Sequence, residues 1–219
     1  MSTVDIQRLR GIQNRLLQKK LERKREREHI TDVDITDVIV KTVLSQNTND
    51  NLRDIAFSNL KNKFSDLKGI LEAKNEEIEK LIRICGLPKV KTRRLKEILS
   101  KITTLPYPSY LCEMDEEEAF SLLTSVDGIG AKSAAVILAF GCGRDMFPVD
   151  THVARIMRRT GVVPKMWSRE KIYFAVKKYL NKNKTNFHIA LIQHGKDICR
   201  AKKPKCHICS ILKFCNKIL

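Results

Sequence analysis

The segment Val126-Asp127-Gly128-Ile129-Gly130-Ala131-Lys132-Ser133-Ala134-Ala135-Val136-Ile137-Leu138 begins as a turn and ends as a helix rich in small residues. Gly128 and Gly130 flank one apolar residue, so the backbone can fold sharply while Ile129 anchors inward. The amides that open the following helix then point outward, where they suit a phosphate. With a helix predicted to end near Thr124, this is the pattern of a helix-hairpin-helix, although glycines at an ordinary helix connection give the same string. Contacts of this kind hold a nucleic-acid backbone without reading its sequence.

Upstream, the signal stays helical. Helices are predicted near 33–44, 50–63, 66–71, 75–84, 91–102 and 115–124, the last capped by Asp115 with Glu118 three residues on. Pro106 and Pro108 mark an extended connector. At the N-terminus, Ile6, Leu9, Ile12, Leu16, Leu17 and Leu21 recur at helical spacing and lead into the charge-dense run Glu22 to Glu28, an amphipathic basic helix. The stretch Gly86-Leu87-Pro88-Lys89-Val90-Lys91 faintly echoes Gly128-Ile129-Gly130-Ala131-Lys132. Alternating strand patterns are absent, so the expected fold class is all-α.

Composition narrows the partners. Lys and Arg number 42 against 25 Asp and Glu, and a formal net charge of +17 attracts any dense array of negative charge. Nucleic acid or an anionic membrane surface fits. No apolar run approaches the roughly 20 residues of a membrane span, and the N-terminus lacks a secretory apolar core, so the expected location is intracellular, with no membrane partner. Reducing conditions there argue against a disulfide framework among the seven cysteines. Cys199, Cys206, Cys209 and Cys215 instead follow C-x6-C-x2-C-x5-C, a set of thiolates that can wrap a zinc ion or a cubane cluster. Arg200, Lys202, Lys203 and Lys205 stand between the first two, where a metal-stabilised loop could hold them against phosphates. Cys85, Cys112 and Cys142 show no partner spacing and read as structural, and His207 exceeds a four-ligand set.

After the hairpin comes Phe147-Pro148-Val149-Asp150-Thr151-His152-Val153, with Asp150 placed to cap another helix. Together, GIGAKSA at 128–134 and PVDTHVAR at 148–155 resemble the endonuclease III family of DNA glycosylases. The resemblance implies that Lys132 and Asp150 are the catalytic pair. It also implies a 4Fe-4S cluster on the four spaced cysteines, whose spacing equals that of the family's cluster loop. Val43-Leu44-Ser45-Gln46-Asn47-Thr48-Asn49-Asp50 is similar to the family's stretch whose amide fills the gap left by an extruded nucleotide. That amide falls on Asn47, where the family more usually has glutamine, and Gln46 is the alternative. Leu87 matches a leucine that wedges into the stack, with a core leucine the equal reading. His152 matches a histidine on the DNA face, with a buried or capping histidine as the alternative.

An amine that attacks a sugar must be unprotonated, and a nearby carboxylate can stabilise the positive charge left when a base departs. Lys132 and Asp150 suit those two roles, and the resemblance implies that the lysine favours excision with strand cleavage over excision alone, since family members lacking it usually excise without cutting. The resemblance thus implies a monomeric base-excision repair glycosylase and abasic-site lyase. It would act on double-stranded DNA carrying damaged bases, oxidised pyrimidines foremost, or abasic sites, by a lysine Schiff base and β-elimination. It further implies two helical domains, a six-helix unit over 29–143 and a cluster unit of 1–28 with 144–219, with Lys132 and Asp150 on the two walls of the cleft between them. The rivals are a mismatch glycosylase removing thymine or uracil opposite guanine, and a noncatalytic DNA-binding protein with a structural metal. Besides Lys132, the amines next in line as nucleophile are the N-terminus and Lys91.

Overall fold

The structure, a computed structural model, describes residues 3–23 and 34–216, with side chains from 20 to 23 left out. The described residues form eleven α-helices and short 3-10 turns, without a strand. No described helix is long and apolar enough to cross a membrane. The chain divides into two compact units, Met1–Ile30 with Asp145–Leu219, and Thr31–Arg144.

The unit Thr31–Arg144 is built on two helices that are apolar nearly all round. Helix α2 (Ile35–Leu44) starts at Asp34, whose carboxylate accepts from Thr36 N, and buries Ile35, Val38, Ile39, Val40, Val43 and Leu44. Helix α8 (Ala131–Gly141) buries Ala131, Ala134, Ala135, Ile137, Leu138 and Ala139, small residues that let backbones approach closely. A β-carbon on Gly141 would meet Ile35 Cγ1 at 3.0 Å, so the close crossing of α2 and α8 depends on that glycine. Around this pair lie α3 (Asp50–Lys63), α4 (Leu67–Glu72), α5 (Asn75–Ile82), α6 (Pro88–Thr103) and α7 (Glu116–Thr124). Asn49, Asp66 and Asp115 cap α3, α4 and α7 with side-chain oxygens, and the amides of Glu117 and Glu118 hold the Asp115 carboxyl below the usual carboxylate range. Helix α6 starts a turn earlier than the predicted 91, because Pro88 occupies its first position, where a missing N–H costs nothing.

The unit containing both chain ends holds α1 (Ile6–Arg23), α9 (Thr151–Thr160), α10 (Arg169–Lys177) and α11 (Lys184–Asp197). Leu9, Ile12 and Leu16 of α1 are buried as their spacing predicts. Leu21 and the charged run 22–28 lie outside the side chains described. Arg8 Nη1 donates to Thr160 O at 2.9 Å and Asp5 N to Val162 O at 2.9 Å, tying the start of α1 to the end of α9. Phe147 stacks on Phe187 at 5.5 Å between ring centroids, anchoring the segment before α9 to the start of α11.

One expectation is overturned in the unit Thr31–Arg144. Cys112 and Cys142 form a disulfide, with their α-carbons 4.9 Å apart. The prolines at 106 and 108 lead into a 3-10 turn, Pro108–Cys112, which folds back onto the end of α8, and a pairing across 30 residues leaves no short spacing to read. Arg144 Nη2 fastens the same corner by donating to Cys112 O at 3.0 Å. Cys85 stays free and buried, its thiol donating to Ile82 O at 3.0 Å. A link closing a loop of this length is worth about 3–4 kcal/mol in the chain-entropy account. Amides of α8 in a Cys112→Ser, Cys142→Ser double variant should lose hydrogen-exchange protection on that scale, whereas unchanged protection would show that the link constrains nothing.

Candidate functional site

In the hairpin, Gly128 has φ +80°, a left-handed conformation that an L side chain resists, and Ile129 is 2% exposed. Gly130 is the N-cap of α8, and its carbonyl accepts from Ser133 N at 2.9 Å and Ala134 N at 3.1 Å. This leaves Lys132 half-buried in the first turn of α8. Space at Gly128 is filled by Arg94 of α6. A β-carbon there would lie 2.0 Å from Arg94 Nε. Arg94 Nη1 also donates to Gln46 Oε1 at 2.7 Å, and Gln46 Nε2 donates to Gly128 O at 3.0 Å. The Gln46 amide is therefore engaged at both ends within its own unit, while the neighbouring Asn47 is exposed and left-handed at φ +53°. Arg94 was not singled out from sequence, and only its spacing on the buried face of α6 could have pointed to it.

Leu87 is 53% exposed, with φ +52°, and caps the start of α6. It is not a core leucine. Lys91, one turn further, is 1% exposed and donates to Leu44 O at 2.8 Å and Cys85 O at 2.6 Å. An amine so enclosed cannot reach a DNA sugar, which removes Lys91 from the ranking of nucleophiles. A cavity of about 480 Å3 in the same unit, lined by Asp34, Asp37, Phe57, Phe64 and Pro108 among others, touches none of the sequence-predicted site residues.

In the other unit, Asp150 is the N-cap of α9, and its Oδ1 accepts from Val153 N at 2.8 Å. The half-buried carboxylate keeps Oδ2 outside that capping bond. His152 packs against the backbone of Gly195, where a β-carbon would come within 2.7 Å of its Nδ1. Its Nδ1 lies 3.0 Å from Arg155 Nη2, which donates onward to Gly195 O at 2.9 Å, while Arg155 Nε donates to Cys199 O at 2.9 Å. Arg159 Nη1 reaches Cys199 Sγ at 3.6 Å and Arg200 O at 2.6 Å, and its Nη2 reaches Ala201 O at 2.9 Å. Sequence reading passed over both arginines, because a basic helix face looks like a solvated one. Here two of its members wrap the backbone at the first spaced cysteine.

Cys199, Cys206, Cys209 and Cys215 line one small cavity of about 30 Å3, walled by Ile156, Ile198, Pro204, Ile211 and Leu212. Burial, and then the proximity of the other three thiols, pushes the Cys209 thiol up. His194 Nε2 lies 3.5 Å from Cys209 Sγ, and burial, with the charge of Lys19 second, lowers the imidazole to about 4. Among the described residues, no group of three or more His, Cys, Asp or Glu side chains converges in a way that could hold a metal ion. Arg200, Lys202 and Lys203 are exposed and Lys205 is half-buried; Lys203 is held at φ +49°.

Residues 40–182 match the model of the HhH-GPD superfamily of base excision DNA repair proteins. An endonuclease III of Sulfolobus acidocaldarius is 33% identical over 187 residues, covering 83% of this chain and 81% of that protein. An endonuclease III of Thermotoga maritima is 31% identical over 180 residues, covering 82% of this chain and 81% of its own length. Among solved structures, a non-covalent endonuclease III–DNA complex superposes with a TM-score of 0.81 at 22% identity, covering 98% of this chain and 97% of that one.

The dual position of Asp150, cap and carboxylate, separates two variants. Asp150→Asn retains an oxygen that can accept from Val153 N, whereas Asp150→Ala removes the cap and should cost about 1 kcal/mol. Urea unfolding should therefore destabilise the alanine variant more than the asparagine variant, and equal midpoints would show that the cap contributes nothing.

Proposed function

This chain belongs to the HhH-GPD superfamily of base excision DNA repair proteins and, within it, to the endonuclease III family of DNA glycosylases, and we propose that it excises oxidised pyrimidines and then cleaves the strand, with Lys132 as nucleophile and Asp150 as its partner. The observation that supports this reading is where the two residues sit, the lysine in the first turn of the hairpin helix and the aspartate capping α9, in the two segments that resemble the family's motifs. Damaged double-stranded DNA is the substrate and partner of this enzyme class. The formal charge of +17 and the exposed Arg200, Lys202 and Lys203 give it a sequence-independent grip on phosphates, in the cell compartment that holds DNA.

The target nucleotide must first leave the stack. Asn47 and Leu87, both exposed and both left-handed, are the residues that enter the duplex, the amide filling the vacated space and the leucine wedging the step. Gln46 has the supporting role, since its amide already serves Gly128 and Arg94. The lone pair of the unprotonated Lys132 amine then bonds to the sugar's anomeric carbon as the base leaves with its bonding electrons and gains a proton. The Asp150 carboxylate stabilises the positive charge that develops on the sugar and relays protons. Ring opening yields a Schiff base; loss of a proton from the adjacent carbon expels the 3′ phosphate by β-elimination, and water releases the lysine.

Cys199, Cys206, Cys209 and Cys215 are the residues that would hold a 4Fe-4S cluster. Four cysteine side chains on one small pocket, beside Arg159, Thr160 and His194 and without a carboxylate, form a soft thiol set of the kind that suits iron and sulfide. When bound, such a cluster supplies a rigid centre for the loop carrying Arg200, Lys202, Lys203 and Lys205. Arg155 and Arg159 hold that loop's first turn from α9 through the carbonyls of Cys199, Arg200 and Ala201.

Borohydride should trap the wild-type protein covalently on a thymine glycol duplex. Lys132→Gln should abolish trapping while leaving DNA binding nearly intact, and Asp150→Asn should slow base release by roughly 100-fold while affecting cleavage at a preformed abasic site less. Strong trapping by the Lys132 variant would overturn the assignment. Separately, Cys206→Ser should remove visible absorption and iron from the purified protein and loosen the C-terminal loop, because cluster binding and local folding are coupled; full iron content in that variant would refute the ligand set.

A further inference from the structure

Lys91 carries its amine into the core of the unit Thr31–Arg144. Its Nζ, on a side chain 1% exposed, donates to Leu44 O at 2.8 Å and to Cys85 O at 2.6 Å. Burying such a group is expensive unless it is well bonded, so its retention calls for a reason beyond packing. The two carbonyls supply one. Leu44 is the last residue of α2, and Cys85 ends the 3-10 turn Arg83–Cys85 after α5. Each carbonyl is thus the last fixed point before a loop, and the two loops carry Asn47 and Leu87.

A second bond closes the arrangement. Thr48 Oγ1 donates to the same Cys85 carbonyl at 2.6 Å, so the first loop is joined to the root of the second both directly and through Lys91. Both loops contain a residue other than glycine in the left-handed region, Asn47 at φ +53° and Leu87 at φ +52°, a conformation that persists only where surrounding bonds impose it. Asn47 is flanked by Thr48, and Leu87 follows Gly86, itself at φ +74°. The backbone bond from Lys91 N to Leu87 O, 3.0 Å, sets the wedge residue on the same turn of α6 as the buried amine.

We propose that Lys91, with Thr48, is a positioning device that fixes the two inserting loops relative to each other before DNA arrives, so that the amide at 47 and the leucine at 87 enter the duplex as one preformed unit. The inference rests on the reading of Asn47 and Leu87 as the inserting residues. Lys91 touches no substrate atom; it acts on extrusion and leaves the bond-breaking steps alone. Hydrogen bonds from a charged donor are about twice as strong as neutral ones, which suits a contact that must hold two strained loops in a fixed register.

The test separates extrusion from chemistry. Extrusion is read from the fluorescence of 2-aminopurine placed beside a thymine glycol in a duplex, and chemistry from strand cleavage at an abasic site in single-stranded DNA, where no insertion is needed. Lys91→Met and Thr48→Val should reduce the extrusion rate and duplex excision by roughly tenfold to a hundredfold, the scale of a mispositioned contact, with single-stranded cleavage within about twofold of wild type, while Thr48→Ser restores extrusion. Should Lys91→Met fail to fold, Thr48→Val and its serine rescue carry the test. Equal losses in both assays for Thr48→Val, or no loss of extrusion, would overturn the proposal. Leu87→Ala and Asn47→Ala measured alongside identify the source of a failure. If they extrude normally, the insertion reading is at fault and the proposal falls with it; if they extrude poorly while Lys91→Met and Thr48→Val do not, the proposal alone is wrong.

Discussion

At residue 128 the backbone has to turn left-handed and also leave room for a guanidinium, and any side chain violates both conditions. Its φ of +80° disfavours a β-carbon, and Arg94 Nε occupies the space 2.0 Å from where one would stand. The rest of the hairpin follows from this. With Arg94 seated there, Gln46 has an acceptor in Gly128 O and a donor in Arg94 Nη1, so the loop after α2 and the loop before α8 share one hydrogen-bonded corner. Ile129 turns into the core, Gly130 caps α8, and Lys132 falls in the helix's first turn. The place of Lys132, the proposed nucleophile, is thus set by a glycine four residues earlier and an arginine on a different helix.

The other unit is organised by arginines acting as backbone clamps. Arg155 and Arg159 stand one turn apart on α9, and between them they satisfy carbonyls at Gly195, Cys199, Arg200 and Ala201. Planar guanidinium groups with several donors suit this task better than ammonium groups would. Asp150, at the start of the same helix, therefore shares a rigid element with the segment that opens the cysteine loop.

Much of this was legible in the chain because it is local. Caps at Asp115 and Asp150 announce helix starts through side chains within three residues of the amides they accept from. The hairpin glycines and the four spaced cysteines are likewise short patterns. What escaped was long-range. The Cys112–Cys142 pairing spans 30 residues, Lys91 meets a carbonyl 47 residues away, and Arg94 meets an amide 48 residues away. No window of sequence contains both partners. Lys91 was weighed as a reactive amine because an isolated lysine says nothing about its burial; only the fold shows that its nitrogen is already spoken for.

The same contrast of near and far has a consequence during synthesis. Helix α1 packs its Leu9, Ile12 and Leu16 in a unit whose other helices begin at Thr151, and Gly11 lies under the ring of Phe214. The residues of Thr31–Arg144 all emerge before those partners do. At the usual pace of translation the apolar face of α1 stays uncovered for roughly ten to thirty seconds, longer than a helical unit of intervening chain needs to fold. Synthesis thus completes the unit Thr31–Arg144 before α1 meets its partner helices, and any delay in elongation past Arg144 lengthens the interval in which a chaperone, or another nascent chain, can claim that face.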